Sequence, residues 1–158
     1  MNQQPTSEPV RDTLPDAAVM ERLMRLCIEE LTASHTYQIA LTLPGLLKHR
    51  DVLSRCYGSH RNRASALAER ITALQGKPPK TGGIWSPLLE ALGPSPATLE
   101  AKAVLSLLGD AETHWVRTYR DELTKVDPRN REFLRSRLVP GQDSTHQALE
   151  ELRHSEHS

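Results

Sequence analysis

Aromatic residues are scarce in this chain, at 4% of 158 positions, and runs of consecutive β-branched residues are missing. Sheets are built from those residue types, so a β-rich fold is excluded, and the dominance of Leu, Ala, Glu and Arg points to helices. Net charge is missing too: Lys and Arg total 20, Asp and Glu total 20, and the isoelectric point is near 7.1. A nucleic acid or an anionic membrane would be met by a cationic excess, so neither is expected as a partner. No run approaches the ~18 apolar residues of a membrane span, and positions 1 to 16, MNQQPTSEPVRDTLPD, lack the apolar segment of a signal peptide. The expectation is a cytoplasmic protein. Cysteines number 2. Cys27 and Cys56 fall on apolar helix faces, which reads as reduced core residues and not as a disulfide. The chain has no Walker loop, no dinucleotide-binding glycine pattern, no Cys-x-x-Cys pair and no nucleophile elbow.

What is present is a set of long amphipathic segments. The length suits one domain, read as a flexible arm over 1–15, a helical body over 16–154 and a short tail over 155–158. Asp16 is positioned to cap a first helix over 17–42, whose inward stripe is Val19, Leu23, Leu26, Glu30, Ser34, Tyr37 and Leu41. Pro44-Gly45 breaks it, and a second helix over 46–75 returns antiparallel, with Leu53, Cys56, His60, Ala64, Leu67, Ile71 and Leu74 inward. Gly76 ends that helix. A Pro/Gly-rich crossover follows over 76–96, with a short helical piece around 84–92. The third helix, 96–125, carries Val104, Leu108, Glu112, Trp115, Tyr119 and Leu123 on one face. Asp127-Pro128 caps a fourth over 128–153, and Pro140-Gly141 predicts a kink just before Asp143-x-x-His146.

The polar members of these stripes carry the chemical signal. Glu30, His60 and Glu112 sit at mid-helix on otherwise apolar faces, with Arg63 at the edge of the same face as His60. Burying such groups unpaired costs several kcal/mol, so they are expected to compensate one another or to bind a metal. Tyr37, Tyr57 and Tyr119 read as core residues with their hydroxyls turned toward the polar groups. The basic stretch KHRDVLSRCYGSHRNR, 48–63, reads as a solvated or interface face because no aromatic residues alternate with its charges. His35 and His114 lie off the polar stripes and are expected at helix boundaries or in solvent.

EELTASHTY, 29–37, resembles the first-helix motif of bacterioferritins, and AERITALQGKPP, 68–79, resembles the end of their second helix. TGGIWSPLLEALG, 81–93, and LEAKAVLSLLGDAETHWVRTYRDEL, 99–123, are similar to an uncharacterised branch of the same superfamily. The resemblance implies an all-α, ferritin-like antiparallel four-helix bundle with one long crossover between the second and third helices. It also implies a di-iron ligand pattern: a Glu on the first helix, Glu-x-x-His on the second, a Glu on the third and Glu-x-x-His on the fourth. Carried over by position, the single Glu residues fall on Glu30 and Glu112, and the last pair on Asp143 and His146. The second-helix pair falls on His60 and Arg63, and a guanidinium has no lone pair to offer iron.

Two function classes follow. In one, Glu30, His60, Glu112, Asp143 and His146 hold a single Fe, Mn or Zn ion between helices. In the other, no metal is bound, a buried polar network stands in its place, and the protein is a non-catalytic helical module for a protein partner or a homodimer. Whether the chain is an enzyme is left open by the sequence.

Overall fold

The computed structural model describes residues 16–93 and 99–156. Over these residues the chain is all-helical, without strands. The helices are α1 (Ala17–Ala40), α2 (Arg50–Ala73), α3 (Ser86–Leu92), α4 (Ala101–Leu123), α5 (Pro128–Phe133) and α6 (Val139–Glu156). A 3-10 turn, Pro44–His49, precedes α2, and a π turn, Leu134–Leu138, joins α5 to α6. The expected arm over 1–15, the start of the third expected helix at 96–98 and the last two residues of the tail lie outside the described residues. No helix among the described residues is long and apolar enough to cross a membrane.

Capping follows the sequence logic. The Asp16 carboxylate accepts from the Val19 amide at 2.8 Å, and Asp127 accepts from the Asn130 amide at 3.4 Å, with Pro128 in the first turn where its missing N–H costs nothing. The second helix departs from expectation at its start. Residues 44–49 wind more tightly than an α-helix, and α2 begins only at Arg50.

Side-chain contacts set the directions of the helices. Met20 lies beside Ile71 and Gly76 while Glu30 meets His60, so α1 and α2 run antiparallel. Arg22 pairs with Glu122 and Tyr37 with Glu112, which sets α4 against α1 in the same sense. Glu112 meets Thr145, Asp110 lies near Arg153, and Arg63 reaches Thr145 while His49 meets Glu156; α6 therefore runs opposite to both α4 and α2. The connection after α2 travels back along α1, where the Gly83 and Trp85 amides donate to the hydroxyls of Thr32 and Thr36 at 3.0 and 2.9 Å. Gly82 is required there, since a Cβ would come 2.5 Å from the Thr32 backbone nitrogen.

The expected inward stripes are buried, with Leu41 and Leu123 partly exposed at the ends. The apolar interior falls into two clusters. One gathers Tyr37, Leu53, Leu105, Leu108, Trp115 and Leu149, and the other Leu23, Leu26, Leu67, Ile71, Leu134 and Leu138. The polar residues of the stripes lie between them.

The last segment corrects the expected kink at Pro140-Gly141. The irregularity comes earlier, in the π turn, where the Val139 amide bonds to the Leu134 carbonyl. Pro140 has no N–H and its ring would press on the carbonyl of Ser136 in a regular α-helix, so widening the preceding turn accommodates it. A π turn also adds one residue to the helix, which rotates everything downstream relative to an uninterrupted helix.

The C-terminus of α2 offers a test of backbone strain. The Gly76 and Gln75 amides bond to the Ile71 and Thr72 carbonyls, both at 2.9 Å, a Schellman closure that places Gln75 at φ +66°. A side chain in that left-handed conformation costs about 1 kcal/mol. Gln75→Gly should therefore raise stability by about 1 kcal/mol in urea unfolding, with the m-value unchanged.

Candidate functional site

The site is assembled from four helices, two turns of α1 and α4 and one turn of α2 and α6. α1 contributes Glu30 and Tyr37, α2 contributes His60 and Arg63, α4 contributes Glu112 and Tyr119, and α6 contributes Gln142 and Thr145. All are at least nine-tenths buried, and His60 and Glu112 are fully so at 0% exposure.

The two carboxylates are the acceptors around which the rest is arranged. Glu30 Oε1 accepts from Arg63 Nε at 2.8 Å and from the Tyr119 hydroxyl at 2.6 Å, and its Oε2 meets His60 Nδ1 at 2.6 Å. Glu112 Oε1 accepts from the Tyr37 hydroxyl at 2.7 Å and meets His60 Nε2 at 2.8 Å. Its Oε2 accepts from Gln142 Nε2 at 2.7 Å and from the Thr145 hydroxyl at 3.0 Å. Arg63 also donates from Nη1 to the Ser59 hydroxyl and from Nη2 to Gln142 Oε1 at 3.3 Å and Thr145 Oγ1 at 3.4 Å, which leaves one Nη1 hydrogen. Tyr37 stacks on the imidazole at 5.4 Å between ring centroids, and Trp115 meets it edge-on at 5.1 Å.

Charge decides the protonation of His60. Two carboxylates facing a single guanidinium would leave one buried negative charge uncompensated, so the imidazole carries the second positive charge and donates from both nitrogens. Arg63 Nη2 lies 2.8 Å from His60 Nδ1. If Nδ1 instead accepted from Nη2, its lone pair would point at Glu30 Oε2. Burial pushes the His60 pKa down, but the facing charges of Glu30 and Glu112 outweigh it, and the net shift is upward. The same contacts hold Glu30 and Glu112 below the usual carboxylate range: burial raises both, and the charge and hydrogen bonds of His60 overcome it. The Tyr37 and Tyr119 hydroxyls are pushed well up, by burial first and then by Glu112 and Glu30 respectively, so they remain donors.

Of the residues singled out in the sequence, the structure brings together Glu30, His60, Arg63 and Glu112, and with them Tyr37 and Tyr119. Asp143 and His146 do not join them. Asp143 is exposed, and His146 is half-buried, with Nε2 3.3 Å from the Thr113 hydroxyl. Gln142 and Thr145 occupy the inward positions instead, one residue earlier at the same i,i+3 spacing. The buried residues Asn130, Leu134, Leu138 and Gln142 recur every four positions, too widely for 3.6 residues per turn, and the π turn supplies the extra residue. That spacing was the signal in the sequence; Asp143-x-x-His146 stood out only by residue type. Tyr57 is half-buried at the edge of the core. His35 is exposed as expected, whereas His114 sits at mid-helix between the Trp85 ring and Glu29. Cys27 and Cys56 are free and buried, and desolvation raises their thiols to about 11 and about 12.

A transition-metal ion needs several lone pairs aimed at one point, from deprotonated ligands. Here every oxygen of Glu30 and Glu112 accepts a protein N–H or O–H, both imidazole nitrogens face carboxylates, and a guanidinium lies in the same cluster. Among the described residues no group of three or more His, Cys, Asp or Glu is placed to hold a metal ion. These residues, as arranged, fit one another and not a cation. A scan against models of known protein families returned no match, and a search of curated proteins returned none.

Removing one partner from a buried ion pair strands the other. Arg63→Met should lower stability by about 3–5 kcal/mol, and a double-mutant cycle with Glu30→Gln should show a coupling above about 1 kcal/mol. Additive effects would dissociate the two residues. Stability should also peak in a defined pH window. The depressed carboxylates contribute above their ordinary 4.5 and lose that contribution as pH falls, while His60 contributes fully below its ordinary 6.5 and loses it as pH climbs through the raised folded value. Urea unfolding from pH 3 to 9 should show both limbs, and His60→Gln should remove the alkaline one.

Proposed function

We propose that α1, α2, α4 and α6 form a ferritin-like four-helix bundle in which a charge-balanced polar network stands where the resemblance puts metal. The protein is then a non-catalytic helical module, cytoplasmic, that serves by binding a protein partner or a second copy of itself. Connectivity supports the fold: α1 and α2 are joined by a short turn, α4 and α6 by the short segment with α5 and the π turn, and the long connection after α2 returns along α1. One observation carries the functional reading: Arg63, 4% exposed, donates to Glu30 from the position where the family pattern has a ligating histidine. A permanent cation there supplies the positive charge that an ion otherwise brings, and it blocks the first metal position.

The competing class, a single Fe, Mn or Zn ion held by Glu30, His60, Glu112, Asp143 and His146, makes the opposite demand. It requires His60 to be neutral and α6 to rotate Asp143 and His146 inward. Elemental analysis after reconstitution with each metal separates the two, using the chain with His154→Gln and His157→Gln so that tail histidines do not contribute. Less than about a tenth of an equivalent is expected, because a closed site with these ligands would retain its ion. One equivalent of any of the three metals would overturn the proposal.

A further inference from the structure

Behind the network, on the side where α2 meets the π turn and α6, lies a cavity of about 500 Å³. Its size is in the range that holds a small molecule. Arg55 and Arg137 stand at its mouth, Ser59 and Asn62 line its wall, and Arg63 forms part of its floor. No carboxylate is among the lining residues. Arg55 and Arg137 are exposed, and neither pairs with a carboxylate among the described residues. Two unpaired guanidinium groups facing one recess, in a chain whose cations and anions are equal in number, are a local departure from neutrality.

The floor is open for a structural reason. Gly141 has no side chain, and a Cβ there would lie 2.9 Å from Arg63 Nη1, so the guanidinium edge reaches the cavity beneath bare backbone. Arg63 is fixed by Glu30, Gln142 and Thr145, and its Nη1 gives one hydrogen to Ser59 and keeps the other for the cavity, so this edge is presented without loss of side-chain freedom on binding. Guanidinium groups match the oxygens of phosphate and carboxylate in bidentate fashion. Three guanidinium groups with the Ser59 hydroxyl and the Asn62 amide offer more donors than the two oxygens of a carboxylate take up, and a phosphoryl group brings three acceptor oxygens.

We propose that this cavity is a binding site for the phosphoryl group of a small phosphorylated molecule, held by Arg55 and Arg137 with Arg63 beneath. The site uses a face of Arg63 turned away from Glu30, and it does not depend on how the buried network is read.

Calorimetric titration of the full chain with inorganic phosphate and with pyrophosphate, at fixed ionic strength and low chloride, tests the proposal. Saturable one-to-one binding with Kd below about 1 mM is expected. Arg55→Gln with Arg137→Gln should weaken it at least about tenfold, since both residues are exposed and their replacement leaves the fold intact by far-UV circular dichroism. A control pair of the same charge change on α4, Lys102→Gln with Arg117→Gln, should leave Kd within about twofold. Three results would each overturn the site: no saturable binding, equal weakening by the control pair, or indifference to the Arg55 and Arg137 changes. Tighter binding of succinate than of phosphate would overturn the phosphoryl assignment. Gly141→Ala gives an independent reading, because a methyl group against Arg63 should weaken phosphate while leaving Arg55 and Arg137 in place, and unchanged affinity would remove Arg63 from the site.

Discussion

Two carboxylates buried in the centre of a helical protein have to be matched charge for charge, and that constraint organises this molecule. Glu30 and Glu112 lie on different helices and are bridged by one imidazole, with His60 Nδ1 2.6 Å from the first and Nε2 2.8 Å from the second. Arg63 completes the balance. Because water is excluded, each member is indispensable to the others: a lone carboxylate here would take up a proton, and a lone imidazolium would release one. The neutral donors around them, Tyr37, Tyr119, Gln142 and Thr145, occupy the remaining lone pairs, so that burial leaves none of the carboxylate oxygens without a partner.

Buried ion pairs add little net stability, because the loss of hydration roughly offsets the attraction. The stabilisation of this fold comes from the two apolar clusters above and below the polar layer. What the layer contributes is registration. Leucine contacts tolerate sliding by a turn, whereas an imidazole that must reach one carboxylate on α1 and another on α4 fixes the heights of three helices at once. Gln142 does the same for the fourth, since its amide oxygen faces Arg63 and its amide nitrogen faces Glu112.

The chemistry available to such a cluster differs from that of a metal centre built on the same frame. A metal site keeps lone pairs open and holds positive charge in an exchangeable ion. Here the positive charge is covalent, in Arg63 and His60, and the donors are hydroxyl and amide hydrogens. The outward edge of Arg63 meets the cavity between α2 and α6, where Arg55 and Arg137 have no carboxylate partner among the described residues, so a permanent cation of the interior also lines a basic recess at the surface.

Much of this was readable in the sequence. Helical periodicity located the buried faces, Asp16 and Asp127 announced the starts of two helices, and Glu30, His60 and Glu112 stood out as polar residues in apolar stripes, because amphipathic spacing is a local property that three or four residues per turn express directly. The partners were a different matter. Which nitrogen of His60 faces which carboxylate depends on helices far apart in the chain, and so does the proton it carries. The exchange of Asp143 and His146 for Gln142 and Thr145 hinged on one extra residue in the π turn, a widening selected by packing around Pro140 that α-helical periodicity does not contain. The amino-acid sequence by itself determined the helices and the presence of buried charge; only tertiary packing decided how that charge is neutralised, because neutralisation is a relation between surfaces of several helices and no single helix carries it.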